Sequence, residues 1–392
     1  MSSAFVLDKM AGNPYPYLHG LLQVRQPVSL SLTHTTTMAL HLKAPNIVST
    51  QYAREKEAAV YGRYRENGYA VNPLVSQAGG TLITENVSAC EAFQIAEADF
   101  TVKKNPAGYL NQDGEWTVSP DHCSIVRDDT NACLGIMGST YTPVQNHALI
   151  TLFDYLRENV QIDNILTIRQ GRKVFCTARC DIEGEVTDGD KIRRYLHAFN
   201  SFDGSSSFGV FFSDVRLQCA NQINYLCSKG ASQAKGAALV MRHTRSVEDF
   251  ARNLPRLINV EQQKFTTDLN QLKPLASLKL SSEAFRTVLE RTYSDDLSHP
   301  IKDKNTKEKR PRLLADLPQV DVIRSHYSGE TGFGIESGTA WGLFQAITQY
   351  ETHDAGRSKS EVERARTRLE SLWGGAASKR IGKAREAVLA LA

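Results

Sequence analysis

The chain has 392 residues, of which 41% are hydrophobic and 23% charged, and its formal net charge is +3. That length suffices for a substantial buried core, two domains and a tail. No run of eighteen apolar residues occurs, which excludes a membrane-spanning helix. The opening "MSSAFVLDKMAGNPYPYLHG" lacks the basic, apolar, small-residue order of a signal peptide, so a cytoplasmic setting is expected. The 7 cysteines, an odd number, fit reduced buried thiols better than a disulfide framework.

In chain order, residues 1–80 form a lead segment with little periodicity and one helix, "STQYAREKEAAVYGRYRENGY". Tyr52, Tyr61 and Tyr64 share it with Arg54, Lys56, Arg63 and Arg65. That mixture suits base stacking beside cations, and equally suits tyrosines on a core edge. An α/β body follows over 81–245. "SACE", Ser88 to Glu91, is a capping box that starts a helix running to about Ala98. "DFTVKKN" and "EWTVSPDHCSIVRDD" then alternate as strands, with Pro106-Ala107-Gly108 and Asp113-Gly114 as turn signals. "ACLGIMGSTYTPVQ" gives a third strand, and a helix from Asn146 presents Leu149, Ile150, Leu152, Phe153 and Leu156 on one face. "ILTIRQGRKVFCTARCDI" is a hairpin turned at Gln170-Gly171, and "RRYLHAFNSFDG" a further strand or short helix.

In "FNSFDGSSSFGVFFSDVRLQCANQI", Asp203-Gly204 with Ser205 to Ser207 is a natural loop. Val215, Leu217 and Cys219 fall on one strand face, Arg216 and Gln218 on the other. Cys219 is therefore expected in the core, with no histidine near it in sequence to act as a base. Asn221 is expected to cap a helix through "QINYLCSK". Cys176 and Cys180 lie roughly 13 Å apart along one strand and cannot chelate one ion together. No P-loop, HExxH or GxSxG string occurs, and His353-Asp354 alone makes a weak metal site. No cofactor is expected.

A mainly helical section, 246–354, contains the basic loop 301–312, and a basic helical tail fills 355–392. Residues 302–392 carry 16 Lys and Arg against 12 Asp and Glu, whereas the remainder carries 30 against 31. The positive excess thus sits at the C-terminal end. The tail reads as two short helices broken at Gly374-Gly375, one side packed through Val362, Leu369, Leu372 and Trp373 and the other wet. The fold class is α+β: a mixed antiparallel sheet with packed helices, a helical C-terminal section and a basic tail.

From about Thr81 to Gly374, "SIVRDD", "LGIMGSTYTPVQNHALITLFDYL", "NSFDGS", "VRLQCANQI", "RHT" and "GTAWGLFQAITQYETHDAGR" resemble the phage- and plasmid-encoded family of domain of unknown function 932. The resemblance implies a mobile-element origin and a bacterial host cytoplasm. Phe202 stands where similar sequences usually place a His, Gln345 where they place an Asn, and "QYETH" where "EYxDH" is common.

Two functional classes follow, with a third in reserve. The first is a nucleic-acid-binding protein of recombination or replication, a self-associating homo-oligomer on single-stranded DNA. Its helix, three-strand, helix unit is similar in order to single-strand annealing proteins. The groove it needs would draw on Lys103, Lys104, Arg127, Arg169, Arg172, Lys173, Arg216, Arg242 and Arg245 in the body. In the tail it would draw on Arg364, Arg368, Lys379, Arg380 and Lys383. The second is a hydrolase or nucleotide-modifying enzyme built on Asp203, Ser205, Arg216, His243 and His353. The third is a host-directed interaction protein without nucleic acid contact.

Overall fold

A computed structural model describes residues 74–83, 86–206, 208–216, 221–225, 239–241, 247–303, 305–329, 337–373 and 375–392, with backbone only for 216, 221–225, 239–241 and 247–257. The lead helix with its tyrosines, Leu217, Cys219, Arg242, His243 and Arg245 lie outside these residues.

A short helix α1 (Leu74–Gln77) and strand β1 (Thr81–Leu82) precede α2 (Ala89–Ile95). The capping box at its start is complete: the Glu91 amide donates to the Ser88 hydroxyl at 3.2 Å and the Ser88 amide to the Glu91 carboxylate at 2.9 Å. Strands β2 (Val102–Leu110), β3 (Trp116–Arg127) and β4 (Cys133–Gly138) make a three-stranded antiparallel sheet. Pro106-Ala107-Gly108 is not a turn, contrary to the sequence expectation. Strand β2 runs through it with a bulge and reverses only after Leu110, where the Asn111 side chain accepts from the Asp113 and Glu115 amides. Helix α3 (His147–Leu156) buries Leu149, Ile150, Leu152, Phe153 and Leu156, the five residues of the expected face.

The main sheet has 7 strands. Its path is β1, β5 (Val160–Ile168), β6 (Lys173–Glu185), β7 (Lys191–Ser201), β8 (Phe208–Arg216) and β10 (Leu239–Met241), and β9 (Asn221–Tyr225) also pairs with β8. All its pairs are antiparallel. "RRYLHAFN" is therefore strand rather than helix. Asn221 does not cap a helix: it opens β9 opposite Arg216, so the ladder takes up the backbone groups that a cap would have served.

Both faces of the sheet are covered, which explains near-continuous burial along β7. Alternation places Arg194 and Asn200 towards α4 (Val247–Leu272) and α3, where Arg194 meets Glu261 and Asn200 meets Val144 and Asn146. His197 and Phe199 point the other way. There Phe175, Phe199 and Phe211 surround Trp373, with Phe199 edge-on to the indole at 4.6 Å between centroids. Gly184 lets α4 approach β6, since a Cβ there would lie 2.4 Å from Leu269.

The C-terminal section is helical: α5 (Ser282–Thr292), α6 (Ser294–Leu297), α7 (Pro318–Ser328), α8 (Ala340–Gln349), α9 (Glu361–Leu372) and α10 (Ala376–Leu389). The basic loop contains a small hairpin of β11 (Ile301–Lys302) and β12 (Lys309–Arg310). Helix α8 continues into a π-helical turn, Tyr350–Asp354. Trp341 ties α8 to the β6–β7 turn by donating to Asp190 at 2.8 Å.

The tail forms the two expected helices, but it is part of the body. Ala377, Ile381, Ala384, Ala387 and Val388 belong to the buried core. Removing residues 377–392 would strip these side chains from the core and should destabilise the body rather than leave it intact.

Arg194 is wholly buried. It donates to both oxygens of Asp214 at 2.8 and 2.9 Å, and to Glu261 at 2.6 Å. Asp268 lies 3.7 Å away and is itself paired with Arg385 of α10 at 2.9 Å. Arg194→Met would leave these carboxylates without their shared guanidinium, and should lower stability by about 3–5 kcal/mol in urea denaturation. Ser88→Ala, which loses only the cap of α2, should cost about 1 kcal/mol in the same experiment.

Candidate functional site

The body cations named from the sequence come from five separate stretches, and the structure gathers several at one end of the main sheet. The organiser is the β5–β6 turn, Arg169-Gln170-Gly171, whose three residues have φ of 51°, 62° and 97°. Left-handed backbone is natural only for the glycine, where a Cβ would also strike Phe100 at 2.6 Å. Arg169 and Gln170 hold it against their preference, and such strain concentrates at functional positions.

Arg127 braces the turn from β3. It donates to the Gln170 carbonyl at 3.0 Å, lies over the Phe100 ring at 3.7 Å and pairs with Asp129. Arg169 is 60% exposed and only loosely opposed by Glu370 at 3.7 Å. Lys173 reaches the same carboxylate at 3.3 Å and lies 6.0 Å from the centre of the Trp373 ring. Arg172 is exposed, and its carbonyl accepts from the Phe202 amide at 2.8 Å. That bond seats the 202–206 loop beside the turn. Lys103 and Lys104 stand nearby on β2, the first paired with Asp128 at 2.8 Å and the second donating to the Ser139 carbonyl at 2.6 Å.

The loop is a closed Asx turn. Asp203 accepts from the Ser201 hydroxyl at 2.8 Å, the Ser205 amide at 3.0 Å and the Ser205 hydroxyl. Burial raises its pKa, but these bonds from Ser205 and Ser201, helped by Lys173, outweigh burial and hold the carboxyl below its usual range. Beneath the loop, Tyr141 donates to the Ser201 carbonyl at 3.3 Å and Asn200 to the Val144 carbonyl at 2.7 Å. "GSTYTPVQNH" and "NSFDGS", far apart in sequence, thus meet in space.

The enzyme constellation is not assembled among the described residues. Asp203 and Ser205 share the turn, but His353 lies in the π-helical segment within hydrogen-bond reach of Gln77. His243 is outside the described residues, and Arg216 is described only as the end of β8. Asp354 pairs with His326 at 2.7 Å rather than with its neighbour His353, a partner that sequence spacing did not suggest. Among the described residues no group of three or more His, Cys, Asp or Glu is placed to hold a metal ion. None of their helices is long and apolar enough to cross a membrane.

Four of the five named tail cations have acidic partners. Arg364 pairs with Glu361, and Arg368 is buried, bonded to Glu361, the Ala355 carbonyl and Gln77. Arg380 grips both oxygens of Asp296 at 2.8 and 3.0 Å and also meets Glu351. Lys383 pairs with Asp295 at 2.9 Å, and Lys379 is exposed. The expected wet side is corrected for Arg368, which the core covers because its partners lie inward.

The family model described as domain of unknown function (DUF932) matches residues 133–373. The chain belongs to this family. No curated protein and no solved structure matches it. The DUF932 match spans β4 to the end of α9, including the strained turn, the Asx loop and Trp373; Lys103, Lys104, Arg127 and α10 lie outside it.

His197 is the buried histidine nearest this end of the sheet, set between Thr177 at 3.1 Å and Ser213 at 2.6 Å and stacked on Phe211. Burial pushes its pKa from 6.5 down to about 3, so it stays neutral and is no general base for surface chemistry. The folded pKa lies below the unfolded one, so the unfolded state takes up the proton first. Stability should therefore fall as pH drops from 6.5 towards 3, by up to about 1.4 kcal/mol per pH unit. Urea titrations at several pH values should show this slope in the native protein and a flatter one in His197→Gln.

Proposed function

We propose that this DUF932 member is a nucleic-acid-binding protein of a phage or other mobile element, acting on single-stranded DNA in recombination or replication in the bacterial cytoplasm. The observation that supports it is the convergence of Arg127, Arg169, Arg172 and Lys173 around one strained turn. Arg169 and Arg172 face water there, and Glu370, the carboxylate opposite Arg169, is too distant for a tight pair. A phosphate replaces such a partner at little cost, because exposed ion pairs are worth about 0–1 kcal/mol.

Binding rests on these turn cations rather than on the tail, whose guanidiniums hold α9 and α10 to the body. A flexible single strand can follow a short cationic corner, and each phosphate neutralised contributes roughly −0.7 to the slope of log K against log salt. Arg169→Glu with Arg172→Glu should therefore weaken binding of labelled single-stranded DNA and flatten that slope by about 1.4, with an unchanged melting temperature. Absence of binding by the native protein at low salt, or an unchanged slope in the double variant, would refute the reading.

A further inference from the structure

The three-stranded sheet ends in a hairpin whose tip serves no core. Tyr109, Leu110, Trp116 and Val118 are 60, 67, 61 and 54% exposed, and none belongs to the core cluster. Leu110 stands directly opposite Trp116, and Gly108 opposite Val118. Leu110, Trp116 and Val118 therefore share one face, with the indole lying across Gly108, where a Cβ would come within 2.7 Å of it. The reversal carries Asp113 and Glu115, and no cation occurs between Asn105 and Pro120. A large exposed apolar cluster of this kind marks an interaction site, and its rim is purely acidic.

A complementary receptor lies elsewhere on the same chain. Helices α5 and α7 and the 3-10 turn Leu314–Asp316 enclose an open groove of about 1000 Å³. Its floor is apolar, with Phe285 and Tyr327 in ring contact at 5.1 Å beside Leu289 and Val320. Arg286, Arg312 and Arg324 line it against only Glu290 and Asp321. Arg286 and Arg324 are 72 and 63% exposed and paired with those two acids along their own helices. The groove is thus apolar below and net positive at its edge, whereas the tip is apolar on one face and negative at its end.

We propose that the chain assembles head to tail, the β2–β3 tip of one copy seating Leu110, Trp116 and Val118 in the α5–α7 groove of the next, with Asp113 and Glu115 facing Arg286, Arg312 and Arg324. Two different surfaces meet in such a contact, so a joined pair keeps one free tip and one free groove, and assembly grows into a ring or a filament. The inference is independent of nucleic acid.

Light scattering coupled to size exclusion, on the full chain without DNA, tests it. The native protein should exceed the monomer mass. Leu110→Ser with Trp116→Ser should reduce it to monomer, and so should Arg286→Glu with Arg324→Glu, each with an unchanged melting curve because both sites lie outside the core. Mixing the two variants should then yield a dimer and nothing larger, since one intact tip meets one intact groove. A native protein that stays monomeric at every concentration overturns the proposal. So does a groove variant that still assembles, which would mean tip-to-tip association, or a mixture that remains monomeric.

Discussion

The position of the helices on the sheet depends on one buried charge. Arg194 sits in the middle of a 7-stranded sheet with no exposed surface, where an unpaired guanidinium would be prohibitively costly. Its donors are shared between Asp214 on the neighbouring strand and Glu261 on α4, and Asp268 and Arg385 extend the cluster to α10. Each partner is fixed by the others, so the sheet, the long helix and the last helix have one mutual arrangement in which every charge is answered. Glu261 shows the tension: burial raises its pKa, and Arg194 acts in the opposite direction. Hydrophobic burial alone would let α4 slide along the sheet. The ionic cluster selects a register, and Gly184 lets the helix come close enough to reach it.

The same logic accounts for the tail. Nine Lys and Arg against four Asp and Glu between Ala355 and Ala392 look like a surface for an anionic polymer when only the tail is counted. Glu361 and Glu363 answer Arg364, Arg366 and Arg368 within the tail, but the acids that answer Arg380, Lys383 and Arg385 lie outside it: Asp295 and Asp296 in α6, Glu351 in the π-helical turn, and Asp268 in α4. Net charge in a window reports partners only when the window contains them, and here those acids lie 29 to 117 residues away. Glu351 is the deepest of the set, held between Tyr293 and Arg380, with burial raising its pKa. The tail therefore serves as a strap across the helical section, held by ion pairs above and by Ile381 and Val388 below.

What could be read from the sequence follows the range of the forces involved. The capping box at Ser88, the apolar face of α3 and the Gln170-Gly171 reversal are set by residues within one or two turns, and all three stand as expected. Pro106-Ala107-Gly108 and Asn221 failed for a single reason. Turn and cap preferences are local, and in both places pairing with a neighbouring strand supplies the hydrogen bonds that those motifs would have provided. The candidate site was legible as a set of residues and not as a place: Arg127, Arg169, Arg172, Lys173 and Asp203 were all named, but their meeting depends on a three-residue left-handed turn. Gly171 signals such a turn only for itself. Arg194, His197 and His326 gave no signal at all, because a buried polar residue in a strand or helix looks like any other until its partner is known.

The family strings repay a last physical reading, because several of their polar residues are buried. Asn146, Asn200, Gln345, Thr348, Gln349 and Glu351 are almost inaccessible to water. A buried polar side chain tolerates few replacements, since its partners must match it donor for acceptor. Substitutions at such positions should therefore disturb the fold before they touch any surface. Trp341 bonded to Asp190, Thr339 capping α8 and Asn200 bonded to Val144 are of this kind. The strained turn is different in nature: its arginines carry no structural bond comparable to those, and its backbone is held in an unfavourable conformation that only the surrounding packing of Phe100 and Arg127 maintains. Strain at an exposed cationic corner thus stands apart from the buried polar residues of the family strings, which lie beneath it in the core.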